Sequence, residues 1–381
     1  MKFYAPRIDT LLSYRDIDKI IDKDEIVRRA EAALPQKPSH ITDSSSPLSA
    51  GGPHDFFSQA DYSWPNPGTA DGLPFVNRDG ESYPGAFFDH RKAMRLMRKN
   101  VSFFTAAFHI TKDIKFAEAA VKWLKEFFLD PETYMEPGLL YSQAVMGICT
   151  GRGIGIIDTL HLIDVTAAAK ILRDAGVIEK SIYEGLKNWF AKYLNWMCTH
   201  EYGINEMNHP NNHSVCWHVQ AAAFARFTGN DDVLKMCVLH YREQLLPNQM
   251  AEDGSFPREL ARTKPYGYSI FVLDNMDTLC FLLSGKDVNL WEYSLPGNRS
   301  IKKGLDYLYP YLNDKTSWPH NPDIAHHNEW PVAMSFMLFA AAAYGEEKWL
   351  DLYSRLEKYP ENDEVRRNTA IRVSYLWLFC Q

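Results

Sequence analysis

Apolar positions along the chain fall into two regimes. From His90 onward, Ala93, Leu96, Met97, Val101, Phe104 and Ala107 recur at spacings of three and four, the pattern of a helix with one buried face. The same period predicts helices over about 113–129, 154–174, 180–200, 213–228, 230–246, 267–284, 300–312, 328–344, 346–357 and 363–379. Their connections are short and carry Gly, Asn, Asp or Pro, as in Thr228-Gly-Asn-Asp231 and Asp174-Ala-Gly176, which makes sequential helices antiparallel neighbours. Strand-like alternation is scarce. The expected class is therefore all-α. No fixed repeat of about 34 or 40 residues marks an open solenoid, so the helix pairs are expected to form an α/α toroid, an incomplete barrel of antiparallel pairs.

The first 89 residues read differently. After a short helical piece at 24–34 comes a polar stretch, Pro35 to Ser58, and then Trp64-Pro-Asn-Pro67 and Asp71-Gly-Leu-Pro-Phe-Val-Asn-Arg-Asp-Gly80, dense in turn-forming residues. This portion, 1–89, is expected to be an N-terminal extension and lid packed on the barrel. Residues 90–381 are expected to be the toroid itself, all within a single domain.

Composition narrows the function. With 46% hydrophobic and 23% charged residues among 381, the chain has material for a large core. No apolar run approaches the roughly 20 residues that span a bilayer, so no membrane insertion is expected. A net charge of -7 gives no basic excess to displace phosphate counterions, which argues against nucleic acid. The six cysteines, Cys149, Cys198, Cys216, Cys237, Cys280 and Cys380, include no Cys-x-x-Cys pair and sit mostly in helical stretches, so neither a disulfide framework nor a zinc knuckle is expected. The N-terminus has no signal-peptide core. Ten Trp and 20 Tyr fit a large core and equally a sugar-binding groove, where flat rings stack on pyranose faces.

Two segments concentrate chemistry. In Met207-Asn-His-Pro-Asn-Asn-His-Ser-Val-Cys-Trp-His218, consecutive Asn residues before a helical run are helix-start chemistry, yet Asn211, Asn212 and His213 exceed what one cap requires. In the segment from Asp253 to Tyr268, Arg258, Arg262 and Lys264 gather three cations beside Tyr266 and Tyr268. They form either a solvated basic patch or a carboxylate clamp, since the guanidinium fork matches a carboxylate. The His209/His213, His213/His218 and His326-His327-Asn-Glu329 spacings lack a zinc pattern, and no metal is expected. The run Gly151-Arg-Gly-Ile-Gly155 misses the dinucleotide spacing, so its glycines are read as permitting close packing, with Arg152 directed into a pocket.

Asn211-Asn212-His213-Ser214 with Trp217, Leu260-Ala-Arg-Thr-Lys264 ending at Tyr268, and the early Tyr62-Ser-Trp-Pro-Asn-Pro67 with Asp71 to Gly80 resemble, in order, motifs of the alginate lyase superfamily. The likeness covers roughly residues 54–285. Val215-Cys216 stands where polysaccharide lyase family 5 has one aromatic, and the interval from Arg262 to Tyr268 is one residue shorter, which favours family 38 or another relative.

The resemblance implies an α/α toroid that cleaves 1,4-linked uronate polymers, alginate or glucuronan, by β-elimination without a cofactor. It implies catalytic roles for Asn212, His213, Arg262 and Tyr268. Such a reaction removes a weakly acidic C5 proton beside a carboxylate, so donors that share the carboxylate charge supply the main electrostatic help. Asn212, His213 and Arg262 are the donors expected. Tyr268 is expected to be the base and the acid, with its phenol lowered by Arg262 and Lys264, and His213 serves as second base for the opposite epimer. Groove contacts are expected from Trp64, Asn66, Tyr141, Gln143, Arg152, Trp217, Arg258, Lys264, Tyr266 and His327. A periplasmic or secreted location follows from where such polymers are met. Two alternatives stand beside this reading: an α/α-barrel glycoside hydrolase recruiting Asp253, Glu259 or Glu329, and a polysaccharide-binding protein without turnover.

Overall fold

A computed structural model describes residues 3–379, so Cys380 lies outside the described residues. The chain divides into two compact units, one comprising residues up to Lys23 together with those from His209 on, the other running from Asp24 to Asn208. The boundary expected at 89/90 lies inside the second of these.

In the unit of residues 24–208, the helices α1 (Asp89–Thr111) and α2 (Ile114–Phe128) form an antiparallel pair across a two-residue connection. Asp113 caps α2 by accepting the Lys115 N–H at 3.1 Å. On α1, the expected face of Ala93, Met97, Val101, Phe104 and Ala107 is buried, but so are Arg91 and Arg98 on other faces. Each of these arginines pairs with aspartates: Arg91 with Asp61 and Asp158, Arg98 with Asp164. Helices α3 (Leu162–Asp174) and α4 (Lys180–Thr199) follow. The loop-rich part contributes short strands: β1 (Phe57–Gln59), β2 (Ser63–Trp64) and β3 (Val76–Asn77). β2 and β3 make an antiparallel hairpin pairing Ser63 with Asn77, while β1 runs parallel to β4 (Tyr141–Ala144), Phe57 opposite Tyr141. A Cβ at Gly151 would strike the Leu140 carbonyl and one at Gly155 the Ser142 hydroxyl, so the glycine run serves close backbone approach.

The other unit is organised on α5 (Asn212–Thr228) and α6 (Pro265–Leu283). Every residue of α6 is buried, the condition of a helix that is apolar nearly all round. The two helices pack together and run parallel: Arg226 at the end of α5 donates to the Leu282 carbonyl at the end of α6 at 2.5 Å, and Asn212 at the start of α5 bonds Glu259 just ahead of α6. Gly229, at φ +83°, ends α5 in the left-handed conformation that glycine adopts at least cost.

Four expected helices are interrupted. The span 154–174 opens as a 3-10 helix, Gly153–Thr159, and becomes α-helical only at Leu162. The span 230–246 becomes Asp231–His240 followed by a π-helical turn, Tyr241–Leu245. The span 328–344 begins only at Ser335, because Pro331 lacks an N–H and excludes its predecessor from helical geometry. The span 363–379 breaks into Asp363–Arg367 and Ser374–Phe379, because the Asn368 amide caps the Glu364 carbonyl at 2.9 Å and the Ala370 N–H turns to Asp274 at 3.3 Å.

Candidate active site

Helix α5 starts at the double asparagine. Asn211 caps it, its side-chain oxygen accepting the His213 N–H at 3.3 Å and the His209 ring at 2.7 Å. This leaves Asn212 and His213 as the first two helical residues. Asn212 is held by Glu259, whose two carboxylate oxygens take its backbone N–H at 3.0 Å and its side-chain N–H at 2.7 Å. Glu259 is fully buried. Burial raises its pKa, against the bonds from Asn212 and the charges of Arg262 and His213. It belongs to a short helix, Pro257–Leu260, after which the Arg262 N–H returns to the Glu259 carbonyl at 3.1 Å. One helical turn therefore links the residue that holds Asn212 to Arg262. The Arg262 guanidinium in turn lies 4.6 Å from the centre of the Tyr268 ring. Tyr268 sits in the first turn of α6, its N–H on the Lys264 carbonyl at 3.0 Å.

Asn212, Arg262 and Tyr268 are thus joined through Glu259, with His213 adjoining Asn212 at the start of the parallel helix. Asn212 keeps 4% of its surface and Tyr268 8%, whereas His213 and Arg262 are half-buried.

The expected groove contacts separate under burial. Trp217 and Tyr266 have no exposed surface and cannot stack on a sugar. Trp217 lies along α5 facing the core, and the Tyr266 hydroxyl donates to the Tyr311 carbonyl at 2.9 Å, its phenol pushed up by burial. Lys264 is also buried, and its ammonium meets Glu364 at 2.7 Å. Its charge is paired within the protein, so it is not placed to meet a polymer. Arg258 is exposed, and half-buried His327 packs edge-on against Tyr266 at 5.6 Å.

The remaining candidates lie in the unit of residues 24–208. Trp64 donates to the Glu81 carbonyl at 2.8 Å under the Arg78 guanidinium, and Asn66 closes a turn by accepting the Gly68 N–H at 2.9 Å. Tyr141 is half-buried. Gln143 is 8% exposed and adopts φ +50°, an uncommon conformation for a residue with a side chain. Its N–H donates to Ser58 at 2.8 Å, and Ser58 donates to Asp158 at 2.6 Å. Half-buried Arg152 donates from Nε to the Gln143 carbonyl at 2.9 Å, its guanidinium pKa lowered by burial. Gln143 thus supports Arg152 through its carbonyl, while its side-chain amide donates to Asp158 at 3.4 Å and accepts from Arg152 at 3.5 Å.

Of the histidines considered for metal, His218 bonds the Ser214 carbonyl at 2.7 Å and His240 at 2.9 Å, away from His213, and burial lowers it to about 3. Among the described residues no group of three or more His, Cys, Asp or Glu is gathered to hold a metal ion.

Sequence reasoning weighed Glu259 only as a hydrolase acid and missed Asp323 and Glu364. Glu259 was findable from its place one helical turn before Arg262. The other two had no local signal.

The chain is similar to the crystal structure of an alginate lyase from Bacteroides ovatus, with 27% identity over 98% of this chain and 99% of that one and a TM-score of 0.83. It is also similar to alginate lyase A1-III from Sphingomonas species A1, at 14% identity over 88% and 89% and a TM-score of 0.53. A histidine-to-alanine variant of A1-III complexed with a tetrasaccharide matches at 13% identity over 86% and 88%, TM-score 0.55. Among curated proteins nothing matches. These likenesses show the α/α toroid fold, and together with a family match they define the class, an all-α polysaccharide lyase. A family model described as alginate lyase matches residues 40–318, well over half the chain, and the chain belongs to that family.

Proposed function

We propose that this lyase cleaves a 1,4-linked uronate polymer, alginate or glucuronan, by β-elimination at the constellation of Asn212, His213, Arg262 and Tyr268. The observation that carries the reading is the guanidinium of Arg262 stacked 4.6 Å from the Tyr268 ring, one helical turn from the carboxylate that fixes Asn212.

Carboxylate neutralisation falls to side chains here. The first-turn N–H groups of both helices already have partners: Asn212 on Glu259, His213 on Asn211, and Tyr266 and Gly267 on Asp323 at 2.8 and 2.9 Å. Helix ends that otherwise serve anions are thus occupied from within. Asn212 has a second side-chain N–H to donate, His213 an imidazole and Arg262 a full charge. Together they draw charge from the substrate carboxylate as the C5 proton leaves.

Tyr268 takes the C5 proton, the C5–H electron pair becomes the C4=C5 double bond, the C4–O4 bond breaks and O4 receives the proton from Tyr268. For the epimer with its C5 proton on the opposite face, His213 takes that proton and Tyr268 remains the acid. Exposed Arg258 and half-buried His327, in the same unit as Asn212, His213, Arg262 and Tyr268, are the remaining candidates for contacts along the polymer.

The hydrolase alternative requires two free carboxyl groups flanking the bond. Glu259 has both oxygens on Asn212, which disfavours it. The deciding assay follows ultraviolet absorbance of the unsaturated product on polymannuronate, polyguluronate and glucuronan, wild type beside Tyr268→Phe. A rise on one polymer that vanishes in the variant is expected. Reducing ends without absorbance, or a variant retaining more than about a twentieth of wild-type kcat (a barrier change of under ~2 kcal/mol), would overturn the assignment.

A further inference from the structure

The five-residue connection between Arg262 and Tyr268 is fastened by two segments that lie far along the chain, beyond the 40–318 span of the family match. The Ile324 N–H donates to the Thr263 carbonyl at 3.1 Å. Asp323, 6% exposed, takes the Tyr266 and Gly267 N–H groups, and the His327 ring accepts the Asp323 N–H at 3.3 Å. From the second segment, Glu364 reaches Lys264 at 2.7 Å with one oxygen and Arg367 at 2.7 Å with the other. Glu364 lies in the first turn of Asp363–Arg367, a helix capped by Asn362 through the Glu364 and Val365 N–H groups at 2.9 and 3.2 Å. A Cβ at Gly267 would sit 2.9 Å from an Asp323 carboxylate oxygen, so a larger residue there would push that carboxylate off its two N–H partners. The connection is therefore held at Thr263, Lys264, Tyr266 and Gly267, and its two ends carry Arg262 and Tyr268.

We propose that Glu364 is a positioning residue for the elimination: acting through Lys264, it locks the turn that sets the Arg262 guanidinium against Tyr268. This rests on the reading of Arg262 and Tyr268 given above. Lys264 and Glu364 act as one mechanical unit, the lysine contributing a tether and not a charge to the chemistry. Displacing a reactive group by about 1 Å from a remote site costs roughly a hundredfold in rate, so the lock has leverage out of proportion to its distance from the substrate.

The test is a double-variant cycle of Lys264→Met, Glu364→Gln and the pair, read as kcat and KM from product absorbance and as hydrogen exchange of the Lys264, Tyr266, Gly267 and Tyr268 amides. Locking predicts that each single variant lowers kcat about ten- to hundredfold with KM changed less than about threefold. It also predicts faster amide exchange in both and a double variant no worse than either single one. A direct electrostatic role of Lys264 predicts opposite effects: loss in Lys264→Met, and an unchanged or raised rate in Glu364→Gln, where the ammonium loses its Glu364 counter-charge. That outcome overturns the proposal, as does unaltered exchange in either variant. Exchange reports on the lock even on a polymer that wild type does not cleave, so failure of the lyase reading, seen as absent wild-type absorbance, is distinguishable from failure of the lock. Glu364→Asp guards against misfolding: it keeps the charge and must retain more activity than Glu364→Gln.

Discussion

Glu259→Gln isolates the contact on which the arrangement of Asn212 depends. The native carboxylate accepts two N–H groups from one residue, at 3.0 and 2.7 Å, in a place without solvent. Glutamine presents one carbonyl oxygen and one NH2, so one of the two bonds is replaced by donor facing donor. A buried donor left without a partner costs about 1–3 kcal/mol. Part of that is offset, because burial already penalises the native carboxylate and the amide carries no charge. The expected net destabilisation is about 1–2 kcal/mol. The catalytic cost is larger, since a donor aimed at developing charge is worth about 10²–10³ in kcat and the amide group of Asn212 is displaced without being removed. A fall of about ten- to hundredfold in kcat is expected. The assay pairs initial rates of product absorbance with chemical denaturation, alongside Asn212→Ala and the double variant. If Glu259 works only through Asn212, the double variant is no slower than Asn212→Ala alone. A Glu259→Gln enzyme within twofold of wild type, or a double variant with fully additive losses, would refute the reasoning.

Further predictions follow from the same contacts. Arg262→Lys lowers kcat at least tenfold, about 1.4 kcal/mol, because an ammonium cannot stack on Tyr268 or present a fork to a carboxylate; an unchanged rate would remove Arg262 from the mechanism. Trp217→Phe costs about 1–3 kcal/mol of stability through a core void and leaves KM unchanged; a raised KM with intact stability would restore the groove reading. Burial opposes ionisation of Glu364, but Arg367 and Lys264 outweigh it and bring its pKa down to about 2 from 4.5. The ionised group therefore contributes stability, about 3 kcal/mol, that is fully present above pH 4.5 and is lost as pH falls through about 2. Acid denaturation curves of wild type and Glu364→Gln should diverge across that window, and parallel curves would contradict it.

Local features of the sequence were sufficient for much of the framework. The period of three and four placed most helices. The double asparagine was readable as a helix start and Thr228-Gly-Asn-Asp231 as a connection, because the bonds such residues make close within a few positions of the same chain. The segments holding Asn212, His213, Arg262 and Tyr268 stood out for the same reason, as polar groups crowded at the entry to apolar helices. Burial around α6 was not legible. A helix enclosed on every side has no polar face to mark which residues meet solvent, so Tyr266, Lys264 and Tyr268 look alike in sequence while the fold enclosed the first two and left the third a sliver of surface. Nor did any pattern join Lys264 to Glu364, one hundred positions apart, or place Asp323 on the start of α6. Those pairings depend on where separate helices come to rest against one another, and only the tertiary packing that brings the charges together decides that one lysine is a tether and one glutamate its anchor.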